Sequence, residues 1–174
     1  MVTVIMLVVS VYANGKEKKA VKNAALIARV ESQANLMAQA FLKGDYQTFA
    51  RYTYPAILNA MGGEGSMITV LTNSSNNMKM QGMFFSGITF DAPTKIVTIG
   101  SEMQCTLQQH TTIKLDKGRA VATSTLIAIS NDGGKDWLFV DTTDKDAVSM
   151  RQVIPNLSKA IIIPLQQKPI FYNY

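Results

Sequence analysis

The chemistry open to this chain is bounded by two residue types that occur once. It contains a single histidine, His110, and a single cysteine, Cys105. A metal site needs several His, Cys or carboxylate ligands around one point, and neither residue has a second of its kind, so no metal and no cofactor are expected. A Ser-His-Asp arrangement would need His110 as its base, but no G-x-S-x-G elbow presents a serine. No G-x-x-x-x-G-K-[ST] or G-x-G-x-x-G loop exists to cradle phosphates. The stretch Gly62-Gly63-Glu64-Gly65-Ser66 lacks a lysine and reads as a helix-to-helix turn. Asp141, Asp144 and Asp146 lie close together, yet without the glycine and terminal glutamate of an EF-hand loop, and read as a solvated loop and helix start. Asp141 is close in sequence to Trp137 and Phe139, and a carboxylate drawn in among aromatic rings can act as an acid or a base. It is the one weak catalytic candidate; no other catalytic residue is expected.

Binding is the better supplied alternative. The chain has ten methionines and six tyrosines, and methionine adapts to irregular apolar shapes. Tyr54, Met67, Met78 and Met83, with Trp137, are the expected ligand-binding residues, and Met80 belongs to the same group. They suit a small apolar ligand. The net charge is +5. Lys16, Lys18, Lys19 and Lys22 form its densest patch without the interleaved aromatics of a nucleic-acid surface, so no nucleic-acid partner is expected.

These residues must be positioned by helices first and strands afterwards. From about Ala20 to Lys43, Leu26, Val30, Ala34, Met37 and Phe41 recur at helical spacing, which predicts one amphipathic helix ending at Lys43-Gly44. Asp45 is a suitable N-cap for a short second helix before Pro55. Ala56 to Met61 predicts another turn or two. Met67, Leu71, Ser75 and Met78 predict a further helix between about Gly65 and Gly82. The period then changes to two. Met83–Phe90 and Lys95–Ile99 read as strands, followed by a long strand from Glu102. Met103, Cys105, Leu107, Gln109, Thr111, Ile113 and Leu115 share one face of it. Glu102, Gln104, Thr106, Gln108, His110, Thr112 and Lys114 share the other, which is expected to face solvent or a partner subunit. Arg119–Ser130 and Trp137–Asp141 continue the meander, and Asp146–Ile154 predicts a weak helix. The aromatic end, Phe171 to Tyr174, is expected to pack on the body. The class is α+β, with N-terminal helices packed on a curved antiparallel sheet.

Two stretches carry resemblances. Gly44-Asp45-Tyr46, followed by Tyr52-Thr53-Tyr54-Pro55 and Gly62-Gly63 within this order of elements, resembles small exported bacterial proteins of the nuclear transport factor 2-like superfamily (cystatin-like, SnoaL-like cones). The resemblance covers roughly residues 25 to 145. It implies a sheet wrapped around the helices, a pocket inside the cone and a homodimer packed through the sheet. Ser130-Asn131-Asp132-Gly133-Gly134-Lys135-Asp136-Trp137 is similar to the Asp-box of sialidases, Ser-x-Asp-x-Gly-x-Thr-Trp, departing at Asp136 where threonine is usual. A single copy reads as a hairpin device, with Asp132 bonding the turn and Trp137 burying its ring.

Val2 to Val11 is an apolar run about 15 Å long as a helix, half a bilayer's hydrocarbon core. It fits the h-region of a signal peptide cleaved after Ala13, although no lysine or arginine precedes it. The expected organisation is a signal peptide over 1–13, a linker or helix start over 14–24, and one cone-shaped domain over 25–174. Location is expected to be periplasmic or secreted, with no membrane span after cleavage. The expected function is a non-catalytic module binding a small ligand or a partner. The alternatives are a small lyase or isomerase using Asp141, and a structural homodimer with a filled core.

Overall fold

The computed structural model describes residues 3–173, with side chains from residue 20 onward. The expected signal segment at 1–13 begins on residues outside that range, and all its side chains are outside the described ones. Among the described residues, no helix is long and apolar enough to cross a membrane.

Helix α1 (Thr3–Lys43) begins well before Ala20. Its apolar stripe buries Val30, Ala34 and Met37. It stops at Gly44, whose φ of 74° lets the chain turn back so that the Asp45 N–H reaches the Ala40 carbonyl at 2.9 Å. Asp45 then caps α2 (Tyr46–Arg51), its carboxylate accepting from the Thr48 N–H at 3.0 Å. Pro55 opens α3 (Pro55–Ala60) at a position where a missing N–H costs nothing. Helix α4 (Glu64–Met80) turns Met67, Leu71, Ser75 and Met78 inward; the first is buried and the others half-buried.

Six antiparallel strands follow in an unclosed sheet: β1 (Phe84–Phe90), β2 (Val97–Ile99), β3 (Glu102–Leu115), β4 (Gly118–Ser130), β5 (Leu138–Asp141) and β6 (Ile170–Tyr172). The main order is β1-β3-β4-β5; β2 adds to β3 and β6 to β4. The β3–β4 ladder is unbroken from Met103–Ser130 to Leu115–Gly118, so Cys105 faces Ala128 and Leu107 faces Leu126. β1 carries a bulge between Phe85 and Gly87. The extra residue, Ser86, brings Phe85 and Ile88 to the same face although they are three apart. The link between α2 and α3 joins the edge of β5: the Phe139 N–H donates to Tyr52 O at 2.7 Å and the Tyr54 N–H to Phe139 O at 3.1 Å. The helices are thereby tied to the sheet by main chain as well as by side chains.

Two cores result, one on each face. Val30, Ala34 and Met37 of α1 pack on Cys105, Leu107, Leu126, Ala128, Trp137 and Phe139. On the opposite face Ile127, Ile129 and Val140 meet Met150, Ile154, Leu157 and Ile161. The second core is contributed by α5 (Ala147–Val153), capped by Asp146, and by the segment after it. The polar row of β3, expected to face solvent or a partner, is therefore covered at its beginning: Glu102, Gln104 and Thr106 are buried. Burial is possible because the partners are built in. The Gln104 amide donates to Asn156 O at 3.0 Å and to the Glu102 carboxylate, and accepts from the Ser158 N–H at 2.9 Å.

The Ser130–Trp137 hairpin docks on α1. Asp132 accepts from Ser130 Oγ at 2.8 Å and from the N–H groups of Lys135 and Asp136, which hold its carboxyl below the usual range, the Asp136 N–H contributing most. Gln33 then clamps the turn, donating to Lys135 O at 2.8 Å and accepting from the Trp137 N–H at 2.7 Å.

Burial pushes the Cys105 thiol from 9.0 up to about 12. The unfolded chain therefore ionises first, and this contribution to stability is intact below about pH 9 and lost as pH rises toward 12, at no more than about 1.4 kcal/mol per pH unit. Urea midpoints taken from pH 8 to pH 11 should fall less steeply for Cys105→Ala than for the parent; equal slopes would show that the thiol is not the group responsible.

Candidate functional site

A cavity of about 400 Å³ lies between the helices and the inner face of the sheet. Each wall follows from a pattern already described. Met37 and Phe41 come from the α1 stripe, Phe49 from α2 and Met67 from α4; the bulge in β1 supplies Phe85 and Ile88. Phe41 sits among rings, 5.0 Å from Phe85 and 5.3 Å from Phe49 between centroids. Ile113, Ala122 and Leu126 form part of the sheet side.

Polar groups collect at one end: Gln109, Thr111, Ser124, Asp141, Thr143 and Gln166. Asp141 ends β5 opposite Leu126, and is exposed while lining the cavity, which places it at the mouth. Its Oδ1 accepts from the Thr143 N–H at 2.8 Å and the Thr143 hydroxyl at 2.5 Å. Its Oδ2 accepts from Ser124 Oγ at 3.0 Å and from the Gln109 amide at a longer 3.4 Å. Gln109 also reaches Thr111 Oγ1 at 3.3 Å. Gln166 arrives from the C-terminal segment, its Oε1 accepting from the Asp144 N–H at 2.7 Å. Asp144 has a φ of 58°, the left-handed region that asparagine and aspartate tolerate best among side-chain-bearing residues.

The expected site residues separate. Met67 lines this cavity. Met78 and Met83 line a smaller pocket of about 110 Å³ beside Tyr46 and Phe84. Met78 is eleven positions beyond Met67 along the helix, a rise of about 16 Å, too far for one small cavity. Tyr54 packs against the second core, and burial, followed by the nearby Glu102 charge, pushes its phenol above the usual value. Trp137 is only 1% exposed in the first core, its indole N–H donating to Gly134 O at 3.2 Å. Asp141 is at the cavity mouth.

His110 lies on the opposite face of β3, 32% exposed. Its Nε2 is 3.2 Å from Asp91 and its Nδ1 is 3.0 Å from Thr123 Oγ1. The imidazole thus has an acidic neighbour, but it is not deep in a cleft, and Asp91 is itself 63% exposed. No group of three or more His, Cys, Asp or Glu among the described residues is arranged to hold a metal ion.

Gln109, Ser124, Thr143 and Gln166 were not among the expected site residues. Gln109 had a signal: an amide in the row of Leu107 and Ile113 is out of place on a face that packs on helices. Ser124 is its cross-strand partner, a fact that needs the register. Comparison with known proteins finds no matching family model, no similar curated protein and no similar solved structure.

Proposed function

We propose that this protein is a non-catalytic binding module that holds a small, mostly apolar ligand in the cavity between its helices and its sheet. The observation that carries the reading is the lining. A cavity of about 400 Å³ is of ligand size, walled by aromatic and aliphatic side chains with a few convergent polar groups at one end. The carboxylate at that end is bonded to hydroxyls, an amide and a main-chain N–H. An acid–base enzyme of lyase or isomerase type would pair Asp141 with a tyrosine or histidine within hydrogen-bond reach, and no such residue is among those lining the cavity. The open volume likewise favours binding over a purely structural dimer with a filled core.

The order of long helix, short helices and long hairpin strands supports placing the chain with the nuclear transport factor 2-like cones. The apolar run Val2–Val11 supports export to the periplasm or beyond. A homodimer through the sheet belongs to the same proposal. The chain's own C-terminal segment covers the outer face at Ile127 and Ile129, which leaves the region around His110 and Thr112 for a second copy.

Ala122 is half-buried on the cavity side of β4. Ala122→Trp is expected to fill the space while the sheet keeps its circular dichroism, and to weaken titration calorimetry with 1-decanol by about tenfold or more. Undiminished binding to the folded variant would place the ligand elsewhere. Native mass spectrometry of protein purified from its own host would report signal cleavage, subunit count and any bound ligand together.

A further inference from the structure

We infer that the cavity selects its ligand by the charge of the head group, taking an amphiphile with an apolar chain and a primary ammonium head. The inference rests on the proposed reading of the cavity as a binding site. Asp141 is the one charged residue among those lining it, and among the described residues no lysine or arginine stands within 4.0 Å of its carboxylate. A single negative charge at the rim of an apolar wall focuses its field into the opening. It is also held in place: Thr143 fixes Oδ1 from two sides, and Ser124 fixes Oδ2 at 3.0 Å.

The longest bond in the set is Gln109 to Oδ2 at 3.4 Å. An ammonium N–H makes a shorter, charge-assisted bond to the same oxygen. An ammonium carries three donors and no acceptor, and needs acceptors around it. Besides Oδ2, the hydroxyl oxygens of Ser124 and Thr111, each within 3.5 Å of the Gln109 amide nitrogen, are acceptors at this end of the cavity. A carboxylate head would meet Asp141 with like charge. The molecule as a whole carries +5, so its overall field favours anions. A preference for a cation must therefore arise locally, which makes its sign diagnostic.

The test uses three ten-carbon probes at neutral pH: decylamine, 1-decanol and decanoate, titrated below their aggregation limits into the full chain and into Asp141→Asn. Decylamine is expected to bind about tenfold tighter than decanol, with decanoate weakest. Asp141→Asn should remove the amine's advantage over decanol. Added salt should weaken the amine alone in the parent protein, a readout that stands even if the variant does not fold. Equal binding of all three, or decanoate tightest, would overturn the charge selection while leaving the cavity as a binding site. Failure of all three to bind would overturn the cavity reading, and this inference with it.

Discussion

Trp137→Ala is expected to lower the free energy of unfolding by about 3–5 kcal/mol, the cost of emptying a large aromatic site in a core that collapses only partly. The indole is 1% exposed and shares its core with Val30, Ala34, Cys105 and Phe139. Its N–H is satisfied by Gly134 O within the same turn, so truncation removes packing and orphans one buried carbonyl. A domain of this kind has only about 5–15 kcal/mol in total, so a large part of it depends on one side chain. Urea unfolding followed by far-UV circular dichroism measures the loss, since the variant has no tryptophan to report. A change under about 1 kcal/mol would mean that the hairpin does not dock on α1 as described.

Gln104→Ala is the second large effect, and its origin is different. The side chain is fully buried, and its amide joins β3 to the main chain at Asn156 and Ser158 across more than fifty residues. Removing it strands a carbonyl, an N–H and the Glu102 carboxylate. Each unsatisfied buried group costs roughly 1–3 kcal/mol, and partial hydration of the space left reduces the sum, so a loss of about 2–4 kcal/mol is expected. Gln104→Met separates polar from steric causes: it keeps the length and removes the partners, and should lose nearly as much. Hydrogen exchange at the Ser158 amide should accelerate in both variants. A Met variant as stable as the parent would show that volume, and not the amide network, holds the C-terminal segment down.

The contrast between these two residues shows which parts of the fold were legible. Trp137 lies in a turn whose serine, aspartate and glycines state their local bonds in the sequence, and the turn forms with those bonds. The α1 and α4 stripes and the caps at Asp45 and Asp146 are legible for the same reason, since their partners lie within a few residues. Gln104 reads as part of an open face because period-two alternation reports polarity and not partners. A buried amide with its bonds made and a solvated amide look alike in a sequence.

The candidate site divides along the same line. Gln109 stands out in the apolar row of β3, and Asp141 is marked by its aromatic neighbours. Their meeting with Ser124 depends on the β3–β4 and β4–β5 registers, and Phe85 reaches the cavity with Ile88 only because Ser86 is bulged. Grouping the methionines by type brought together side chains that the length of α4 keeps apart.

By itself the sequence determined the order of the helices and of the first five strands, the stop of α1 at Gly44, the helix-facing row of the long hairpin and the absence of recognisable phosphate-loop and nucleophile-elbow motifs. All of these follow from backbone preferences and periodicities acting over a few residues. Tertiary structure alone decided that the C-terminal segment builds a second core, that an open volume remains beneath the helices, and that one carboxylate stands at its mouth. Those depend on contacts between segments far apart in the chain, where register, strand irregularity and the fit of unlike surfaces set the distances.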